Sequence, residues 1–368
     1  MKIYHDMIDE VLQYGTRKEN RTGVDTLSTF NYNYELTWDE RLRGSVTTYV
    51  GDSVDGNHRL PLLTTKKVSW KNIVVEMLWF LSGDPHIQIL KQHKCGFWDP
   101  WVDAKGEVPM AYGNVWRRFP GLQATLDSDV PSLRYNDQIR YVLDGLRNNP
   151  MSRRLVVSAW APHQAQVASL PPCHMLYLFN VQNVEESTME LFKRAVRETP
   201  SEASNLTRRI EAGQLDSFEG RNMVRRDLIA AGVVPKVEQR LCLHLTQRSC
   251  DLALGVPYNM ASYGLLLLIM SHLTGIKPGI FAHTLLDLHI YTKKLDGSMG
   301  EYDHIPGLKG QRTRTPKTLP KLSIDPSIQE LSDIEALMRP DVTTEKILEV
   351  FRLEGYNPHP PVKFKVAV

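Results

Sequence analysis

The sequence predicts a mixed α/β (α+β) fold, because two kinds of segment follow one another along the chain. Short runs that alternate, or that are rich in β-branched and aromatic residues, are typical of strands, and longer apolar runs at helical spacing are typical of helices. The 368 residues are 42% apolar and 23% charged, which is the composition of a globular protein with a large core. This length allows two ordinary domains, or one large α/β domain with extra segments.

The chain begins with a predicted helix and a predicted strand. Residues 1–15 carry an apolar stripe interrupted by acids, which predicts an amphipathic helix and not a signal peptide. Alternation over residues 26–34 predicts a strand. The Asp55-Gly56 turn signal is typical of a hairpin, which we expect over residues 44–59.

The rest of the chain alternates between buried and charged segments. Residues 73–81 are apolar on nearly every side, as in a helix inside a large domain, and a second buried helix is expected at 263–275. Residues 184–236 hold nine acids and nine bases, and their apolar spacing predicts two or three surface helices. Further strands are expected at 154–161, at 174–181 and from Gln239 onward.

Charge and cysteine content exclude several classes of protein. The formal net charge of +2 gives no overall electrostatic reason to expect nucleic acid or an anionic membrane as a partner. The four cysteines lie far apart without a CxxC pair, so neither a disulfide framework nor a zinc ribbon is expected, and a reducing, cytoplasmic location is the default. The most apolar run, 265–270, is much shorter than the roughly 20 residues of a membrane span.

Glu76 and Cys173 are the first candidates for catalysis. Glu76 lies inside an apolar helix, where burial would raise its pKa and suit it to acid/base work, although a structural carboxylate with a buried partner fits equally well. Cys173 lies behind two prolines at the start of a predicted strand; it could be a nucleophile, but a small buried side chain is the commoner case. Arginines that could bind a phosphate or a carboxylate lie at the edges of predicted strands or turns: Arg21, Arg153, Arg154 and Arg248.

These candidates lie within longer motifs that occur in a characteristic order. The motifs are NRTGVDTLSTF, LPLLTTKKVSWKNIVVEMLWFLSGD, FWDPW, AYGNVWRRF, NPMSRRLVVSAW, LPPCH, QRSCDLALGVPYNMASY, LDLHIY, LPKL and YNPHPPVKFKVAV. Together they resemble the thymidylate synthase family. The resemblance covers nearly the whole chain outside two segments, 39–59 and 184–236.

The resemblance implies a fold, an assembly and a reaction. The fold would be a single domain over residues 1–368 on a mixed β-sheet, with inserted segments at about 39–59 and 184–236, the latter helical. The assembly would be an obligate homodimer in which Arg153 and Arg154 enter the site of the other subunit. The reaction would be transfer of a one-carbon unit from 5,10-methylenetetrahydrofolate, the cosubstrate, to C5 of dUMP through a covalent cysteine adduct, with no metal.

The resemblance also implies roles for individual residues. The catalytic group would comprise Cys173, Glu76, Tyr112, His174 and Asp251. The dUMP-binding group would comprise Arg21, Arg153, Arg154, Arg248, Ser249, Gln247, Asn259, His289 and Tyr291. The folate-binding group would comprise Trp98, Trp101, Asp251, Leu254, Gly255, Tyr258, Lys66, Lys67 and Ala367. The arginines around the phosphate are expected to lower the pKa of the Cys173 thiol, and Asn259 would match uracil and mismatch cytosine.

Two departures from the family pattern leave the product open. The chain has Leu-Asp-Leu at 286–288, where the family usually has Gly-Asp and a small residue, and Pro-Met-Ala at 109–111, where it usually has Gly-Pro-Val. If the one-carbon unit on C5 is reduced by hydride, the products are dTMP and dihydrofolate. If it takes up water, they are 5-hydroxymethyl-dUMP and tetrahydrofolate. Trp98 and the closing Val-Ala-Val tail favour the methyl product.

A third hypothesis is an inactive binding protein on the same scaffold that holds RNA or a protein through residues 184–236. Two arginine pairs, at 208–209 and 225–226, are its only support. The segment is charge-balanced and lacks interleaved aromatic residues, so a solvated helical face is the better interpretation and nucleic acid is not expected as a partner.

Overall fold

The computed structural model describes residues 1–42, 44, 47–51, 57–125, 128–165, 168–198 and 217–367. The strands are β1 (Thr16–Lys18), β2 (Asp25–Thr37), β3 (Thr47–Tyr49), β4 (His58–Arg59), β5 (Phe119–Thr125), β6 (Ser128–Asn136), β7 (Val156–Ser158), β8 (His174–Glu185), β9 (Val237–Gln247), β10 (Cys250–Asp251), β11 (Lys277–Thr292), β12 (Lys321–Ile324) and β13 (Phe351–Glu354). The helices are α1 (Ile3–Tyr14), α2 (Trp70–Ser82), α3 (Gln88–Gln92), α4 (Tyr112–Arg117), α5 (Gln138–Asn148), α6 (Pro162–Ala165), α7 (Thr188–Glu198), α8 (Phe218–Ala230), α9 (Gly255–Thr274), α10 (Ile305–Arg312), α11 (Leu331–Ala336) and α12 (Thr344–Val350).

Among the described strands, eight form the main sheet. Their order is β1-β2-β11-β9-β8-β7, with β3 beside β2 and β10 beside β11. β2 and β11 pair antiparallel over almost their whole length, whereas β3 runs parallel to β2 and β10 parallel to β11, so the sheet is mixed. Two smaller sheets are β13-β12-β4 and β5-β6. The predicted α/β fold with a mixed sheet is therefore confirmed.

Two apolar helices form the centre of the core. In α9 the whole run 265–270 is buried, and the helix packs on α2 and on β11. α2 begins after Ser69, whose hydroxyl accepts from the Asn72 N–H at 3.4 Å, and it ends at Gly83, which has a φ of 75° and closes the helix in the left-handed conformation. Between these caps, its apolar residues face the interior on nearly all sides, as the sequence predicts.

Most of the predicted elements are present, with two corrections. The helix at 1–15 is α1, the strand at 26–34 is β2, and the strands at 174–181 and from Gln239 are β8 and β9. The strand at 154–161 is shorter and ends at Ser158, because the Ala159 and Trp160 amides both donate to the Met175 carbonyl, as in a β-bulge.

The second correction concerns the hairpin predicted for 44–59. Its described residues form β3 and β4, and these pair with different partners, β3 with β2 and β4 with β12. The Asp55-Gly56 turn itself lies outside the described residues. Strands are therefore present on both sides of the predicted turn, but β3 pairs with the strand that precedes it and β4 pairs with a strand more than 250 residues further along the chain, since Leu322 lies opposite His58.

The chain divides into two compact units, Met1–Asn180 with Leu241–Val368, and Val181–Arg240. In the second unit, α7 and α8 share a small apolar core of Leu191, Ala195, Val224, Leu228 and Val233. Arg194 pairs with Glu186 at 2.9 Å in this unit. Residues 199–216 of the predicted helical insertion lie outside the described residues, and the single-domain organisation remains a prediction.

No helix in the described part of the chain is long and apolar enough to cross a membrane.

Candidate active site

A cavity of about 600 Å3 lies in the first unit where five segments meet. These segments are the turn between β1 and β2, the loop after β7, the residues just before β8, the turn after β9 and the end of β11. Six residues predicted for the site line this cavity: Arg21, Cys173, Arg248, Ser249, His289 and Tyr291. The structure thus brings together a thiol, two guanidinium groups and three other polar side chains from distant parts of the sequence.

Cys173 is held at the cavity wall by its own backbone. Its N–H donates to the Tyr112 hydroxyl at 2.9 Å, and its carbonyl accepts from the Arg248 N–H at 2.8 Å. The Arg248 side chain donates to the carbonyls of Pro171 and Pro172 at 2.7 and 2.8 Å, so the two prolines and the guanidinium fix the approach to the cysteine.

The expected lowering of the Cys173 thiol pKa includes the effect of Arg153 and Arg154 from a second subunit, and it stays a prediction because the groups of one chain do not lower this pKa by themselves. Burial raises the pKa of Cys173, and this effect exceeds the opposing effects of the Arg248 and Arg21 charges and of a hydrogen bond with Ser249. The reason is that the thiol is largely desolvated, while the Arg21 side chain is exposed to water.

Arg153 and Arg154 do not line this cavity in their own chain. Both lie before β7 and are exposed to solvent. Their placement in a partner's site, and the homodimer itself, therefore remain predictions. His289, which does line the cavity, donates from Nδ1 to the Asp287 carbonyl at 2.9 Å and packs edge-on against Tyr291.

A polar group lies among aromatic rings behind the cysteine. Trp98 donates from Nε1 to a Glu76 carboxylate oxygen at 2.8 Å, and burial raises the pKa of Glu76 to about 7 despite this hydrogen bond. His174 stacks on Tyr112 at 4.6 Å, and burial lowers its pKa to about 3, so its ring is neutral. Two buried groups with shifted pKa values therefore lie here: the Glu76 carboxyl, whose pKa is close to neutral pH, and the uncharged His174 imidazole.

Gln247 and Asn259 do not line the cavity but are joined to each other. Gln247 is 2% exposed, and its amide nitrogen donates to Asn259 Oδ1 at 2.9 Å and to the Ser249 carbonyl at 3.0 Å. Asn259 also has a hydrogen bond with His174. The amide of Asn259 is thus held in one place beside the predicted acid/base groups.

The predicted folate-binding residues include two groups, one at the start of α9 and one in the aromatic segment 97–101 that follows α3. Asp251 Oδ1 accepts from the N–H groups of Ala253 and Leu254 at 2.9 and 3.2 Å, which fixes the turn into Gly255. Trp101 packs edge-on against Trp98 at 6.1 Å, and Tyr258 packs edge-on against Phe97 at 5.0 Å.

The two predicted lysines differ in their surroundings. Lys67 is exposed, whereas Lys66 is 4% exposed and donates to the Ala253 carbonyl. Burial lowers the pKa of Lys66 to about 8. Near it, His304 binds the Lys365 carbonyl at 2.9 Å and thereby holds the C-terminal segment, in which Ala367 is partly buried and Val368 lies outside the described residues.

Sequence reasoning missed several residues that line the cavity. They are Lys18, Glu19, Asn20, Thr22, Thr26, Trp160, Pro162, Leu170, Pro171 and Asp287. Asp287 binds the Ser28 hydroxyl and lies 3.4 Å from the Lys18 ammonium. The available signal was the two-residue spacing of Asp287, His289 and Tyr291, which places polar side chains on one face of β11.

Within the described ranges, no group of three or more His, Cys, Asp or Glu side chains is placed to hold a metal ion.

The family model of thymidylate synthase matches residues 2–197 and 228–368. The residues between the two matched parts, 198–227, lie within the segment 184–236. The match covers far more than half of the chain, and it includes every residue of the cavity described above. The chain therefore belongs to the thymidylate synthase family, whose reaction transfers a one-carbon unit from methylenetetrahydrofolate to dUMP.

Proposed function

We propose that this protein methylates dUMP, forming dTMP and dihydrofolate, through a covalent adduct between Cys173 and C6 of the pyrimidine. The observation that supports this most directly is the position of the Cys173 thiol in a cavity that also holds Arg21, Arg248 and Ser249. A nucleotide monophosphate presents a dianion and an electrophilic ring at a fixed distance from each other. A cavity with cations at one end and a thiol beside them is suited to such a ligand.

The phosphate would be bound by Arg21, Arg248 and Ser249. The guanidinium groups supply charge-assisted hydrogen bonds, and Ser249 adds a hydroxyl donor. His289 and Tyr291, which lie side by side on β11, would bind the deoxyribose 3′-hydroxyl. With the phosphate and the deoxyribose bound in this way, the pyrimidine ring is directed toward Cys173. Binding of these two groups thus positions C6 for attack by the thiol.

Covalent chemistry at Cys173 requires loss of the thiol proton and later removal of the C5 proton. Addition of sulfur to C6 places the electron pair on C5 and O4, and C5 then forms a bond to the one-carbon unit. Departure of the C5 proton, with cleavage of the bond between the one-carbon unit and the folate nitrogen, leaves a methylene group on C5 and releases tetrahydrofolate. Hydride transfer from tetrahydrofolate to this methylene gives the methyl group and dihydrofolate, and expulsion of the thiolate from C6 restores the ring and the free enzyme. Glu76, with a pKa of about 7, can exchange protons at neutral pH, and Tyr112 and His174 would order the hydrogen bonds between it and O4.

The folate would lie against Trp98 and Trp101, with Leu254, Gly255 and Tyr258 beside it. One Asp251 oxygen is occupied by backbone N–H groups, and the second oxygen of that carboxylate can accept from a pterin N–H. Lys67, which is exposed, would meet the negatively charged glutamate tail, with Lys66 behind it. Methylenetetrahydrofolate supplies the carbon and, for a methyl product, the hydride.

A second candidate product is 5-hydroxymethyl-dUMP, with tetrahydrofolate. It is favoured by the leucines on each side of Asp287, because Leu286 and Leu288 are larger than the residues usual in the family at these positions. Asp287 lines the cavity, so its neighbours can alter the space around the one-carbon unit and admit water. Methylation remains our proposal because Trp98 and the closing tail are retained.

The experiment is incubation of the protein with dUMP and methylenetetrahydrofolate, followed by mass analysis of the nucleotide and absorbance measurement of dihydrofolate. The proposal expects methylated nucleotide and dihydrofolate in equal amounts. Hydroxymethyl nucleotide without dihydrofolate would establish the second candidate instead. If neither product forms, the binding-protein hypothesis is the one that stands. A Cys173→Ala variant is the control and is expected to form neither product.

A further inference from the structure

A buried row of hydrogen bonds crosses the main sheet from Tyr34 to Asn259. Tyr34 on β2 and His283 on β11 are paired in the sheet register, and the Tyr34 hydroxyl lies 2.9 Å from His283 Nδ1. His283 Nε2 lies 3.0 Å from Gln247 Oε1 on β9, and Gln247 donates to Asn259 Oδ1 at 2.9 Å. Tyr34, His283 and Gln247 are each 1–2% exposed, so water does not compete for these bonds.

The Ser249 carbonyl determines the direction of every bond in this row. A carbonyl oxygen can only accept, so the Gln247 amide atom 3.0 Å from it must be the nitrogen, and Oε1 must face His283. His283 Nε2 is therefore the protonated ring nitrogen. Burial lowers the pKa of His283 well below its usual value, so the ring is neutral and carries a single N–H. Nδ1 is then unprotonated, and it accepts from the Tyr34 hydroxyl.

The direction of these bonds matters because uracil and cytosine differ in the polarity of one edge. Uracil presents an N3–H donor and an O4 acceptor, whereas cytosine presents an N3 acceptor and an N4 amino donor. Rotation of the Asn259 amide by half a turn would present the pattern that matches cytosine. That rotation would also bring the Asn259 nitrogen against the Gln247 nitrogen, and two donors would face each other in a buried place.

We propose that Tyr34 and His283, which do not line the cavity, are positioning residues that hold the Asn259 amide in the orientation that matches uracil and so set the preference for dUMP over dCMP. The inference rests on the proposed role of Asn259 in reading the pyrimidine. His283 acts by donating to Gln247 Oε1, which opposes reversal of the Gln247 amide. Tyr34 acts by donating to His283 Nδ1, which keeps the proton of the ring on Nε2, the nitrogen that donates to Gln247.

The test compares the binding of dUMP and dCMP by calorimetry in the wild type, Tyr34→Phe, His283→Gln and a matched control, Tyr32→Phe. The two nucleotides share phosphate and sugar, so general damage to the cavity cancels in the ratio of their affinities. Loss of the Tyr34 hydroxyl is expected to lower the dUMP:dCMP ratio roughly 3- to 10-fold, the effect of one buried hydrogen bond. His283→Gln should lower it as well, because an amide can present either a donor or an acceptor. Tyr32 lies two residues away on the same strand, and its variant should leave the ratio unchanged.

The outcomes separate this inference from the proposed function. If the wild type prefers dUMP but Tyr34→Phe and His283→Gln keep the same ratio, the positioning role is overturned and the proposed function stands. If the wild type binds both nucleotides equally, or neither, the uracil-reading role fails and the inference fails with it. Nitrogen NMR of the His283 ring in the wild type needs no variant to fold. We expect Nε2 to be protonated and Nδ1 to be unprotonated, and a protonated Nδ1 would overturn the inference.

Discussion

Glu76 lies on a helix whose other side chains are almost all apolar, and its surroundings decide its chemistry. Burial raises the pKa of its carboxyl to about 7, and the Trp98 N–H, at 2.8 Å, lowers it by a smaller amount. A carboxyl with this pKa is protonated in about half of the molecules at neutral pH, which is the condition under which a group can both give and take a proton.

This pKa makes Glu76 a source of pH-dependent stability. Between its usual pKa of 4.5 and the folded value of about 7, the folded protein binds more protons at this residue than the unfolded chain does. The stability contributed by Glu76 is therefore full below pH 4.5 and is lost as the pH rises toward 7. Glutamine has no such titration, and its oxygen can still accept from Trp98.

We expect Glu76→Gln to be more stable than the wild type at a pH of about 8, by on the order of 2–3 kcal/mol, and this gain should shrink toward a pH of about 5. Urea unfolding at both pH values measures the difference. Turnover of dUMP should fall, since the amide cannot exchange protons. The exposed Glu349 offers a matched control, and Glu349→Gln should show no comparable pH-dependent gain. A gain for Glu76→Gln that is independent of pH would contradict this account.

At the scale of elements, the close approach of α4 to α2 sets the position of Tyr112 beside Cys173. Gly113 on α4 makes this approach possible, because a Cβ at this position would lie 2.6 Å from the Phe80 Cα. Backbone atoms cannot move aside as a flexible side chain can, so any larger residue would push the two helices apart.

Gly113→Ala is expected to destabilise the protein by about 1–3 kcal/mol, the usual cost of overpacking, and to lower activity by displacing Tyr112. Gly310 on α10 is the matched control, since a Cβ there would meet nothing within 4 Å. Gly310→Ala should be neutral or stabilising by about 0.5–1 kcal/mol, because alanine is the better helix former. Equal urea midpoints for the two variants would show that the α2–α4 contact is not as tight as described.

Helices were easier to predict from the sequence than strand pairs, because a buried helix depends on a local run of residues and a strand pair depends on two separate segments. α2 and α9 were predictable because an apolar run of helical length has few alternatives to a buried helix. The hairpin predicted at 44–59 was wrong because β3 and β4 pair with β2 and β12 and not with each other, and local composition does not encode which strands pair. β5 and β6 were not predicted at all.

The candidate site was predictable only in part for the same reason. Cys173 and the arginines were visible as unusual residues in their segments, and the family resemblance supplied their roles. The hydrogen-bonded row from Tyr34 to Asn259 could not be predicted from the sequence. Its first three members lie on β2, β11 and β9, which are neighbours in the sheet but not in the sequence, and Asn259 lies on α9. Only the register, which pairs Tyr34 with His283, brings these side chains together.

At the scale of the whole molecule, the segment between β8 and β9 offers a test of the insertion. The Glu186 N–H donates to the Lys236 carbonyl at 2.8 Å, so the two chain ends of this segment already meet as neighbouring strands do. Replacing residues 187–235 by an Asn-Gly turn should therefore preserve the fold and the turnover of dUMP. Kinetics measure the turnover of the shortened protein, and urea unfolding measures its cooperativity. Loss of either would show that the segment is required.

The homodimer predicts complementation between two inactive variants. Arg154 is exposed in its own chain and outside its cavity, so we expect it to act in the partner's site. Cys173→Ala and Arg154→Ala should each be nearly inactive alone, whereas a mixture refolded together should regain up to about a quarter of wild-type activity, since half the dimers would be hybrids with one intact site. A mixture no more active than its components would contradict the shared site.

The central claim is that Cys173 forms a covalent bond to the pyrimidine of dUMP. Mass analysis of the protein after incubation with 5-fluoro-dUMP and methylenetetrahydrofolate tests it most directly, because fluorine at C5 cannot leave as the proton does and the adduct should accumulate. We predict a protein whose mass has increased by the nucleotide and the folate, with the modification mapped to the peptide that contains Cys173 and absent in Cys173→Ala. An unmodified protein, or a modification on any other residue, would contradict the account.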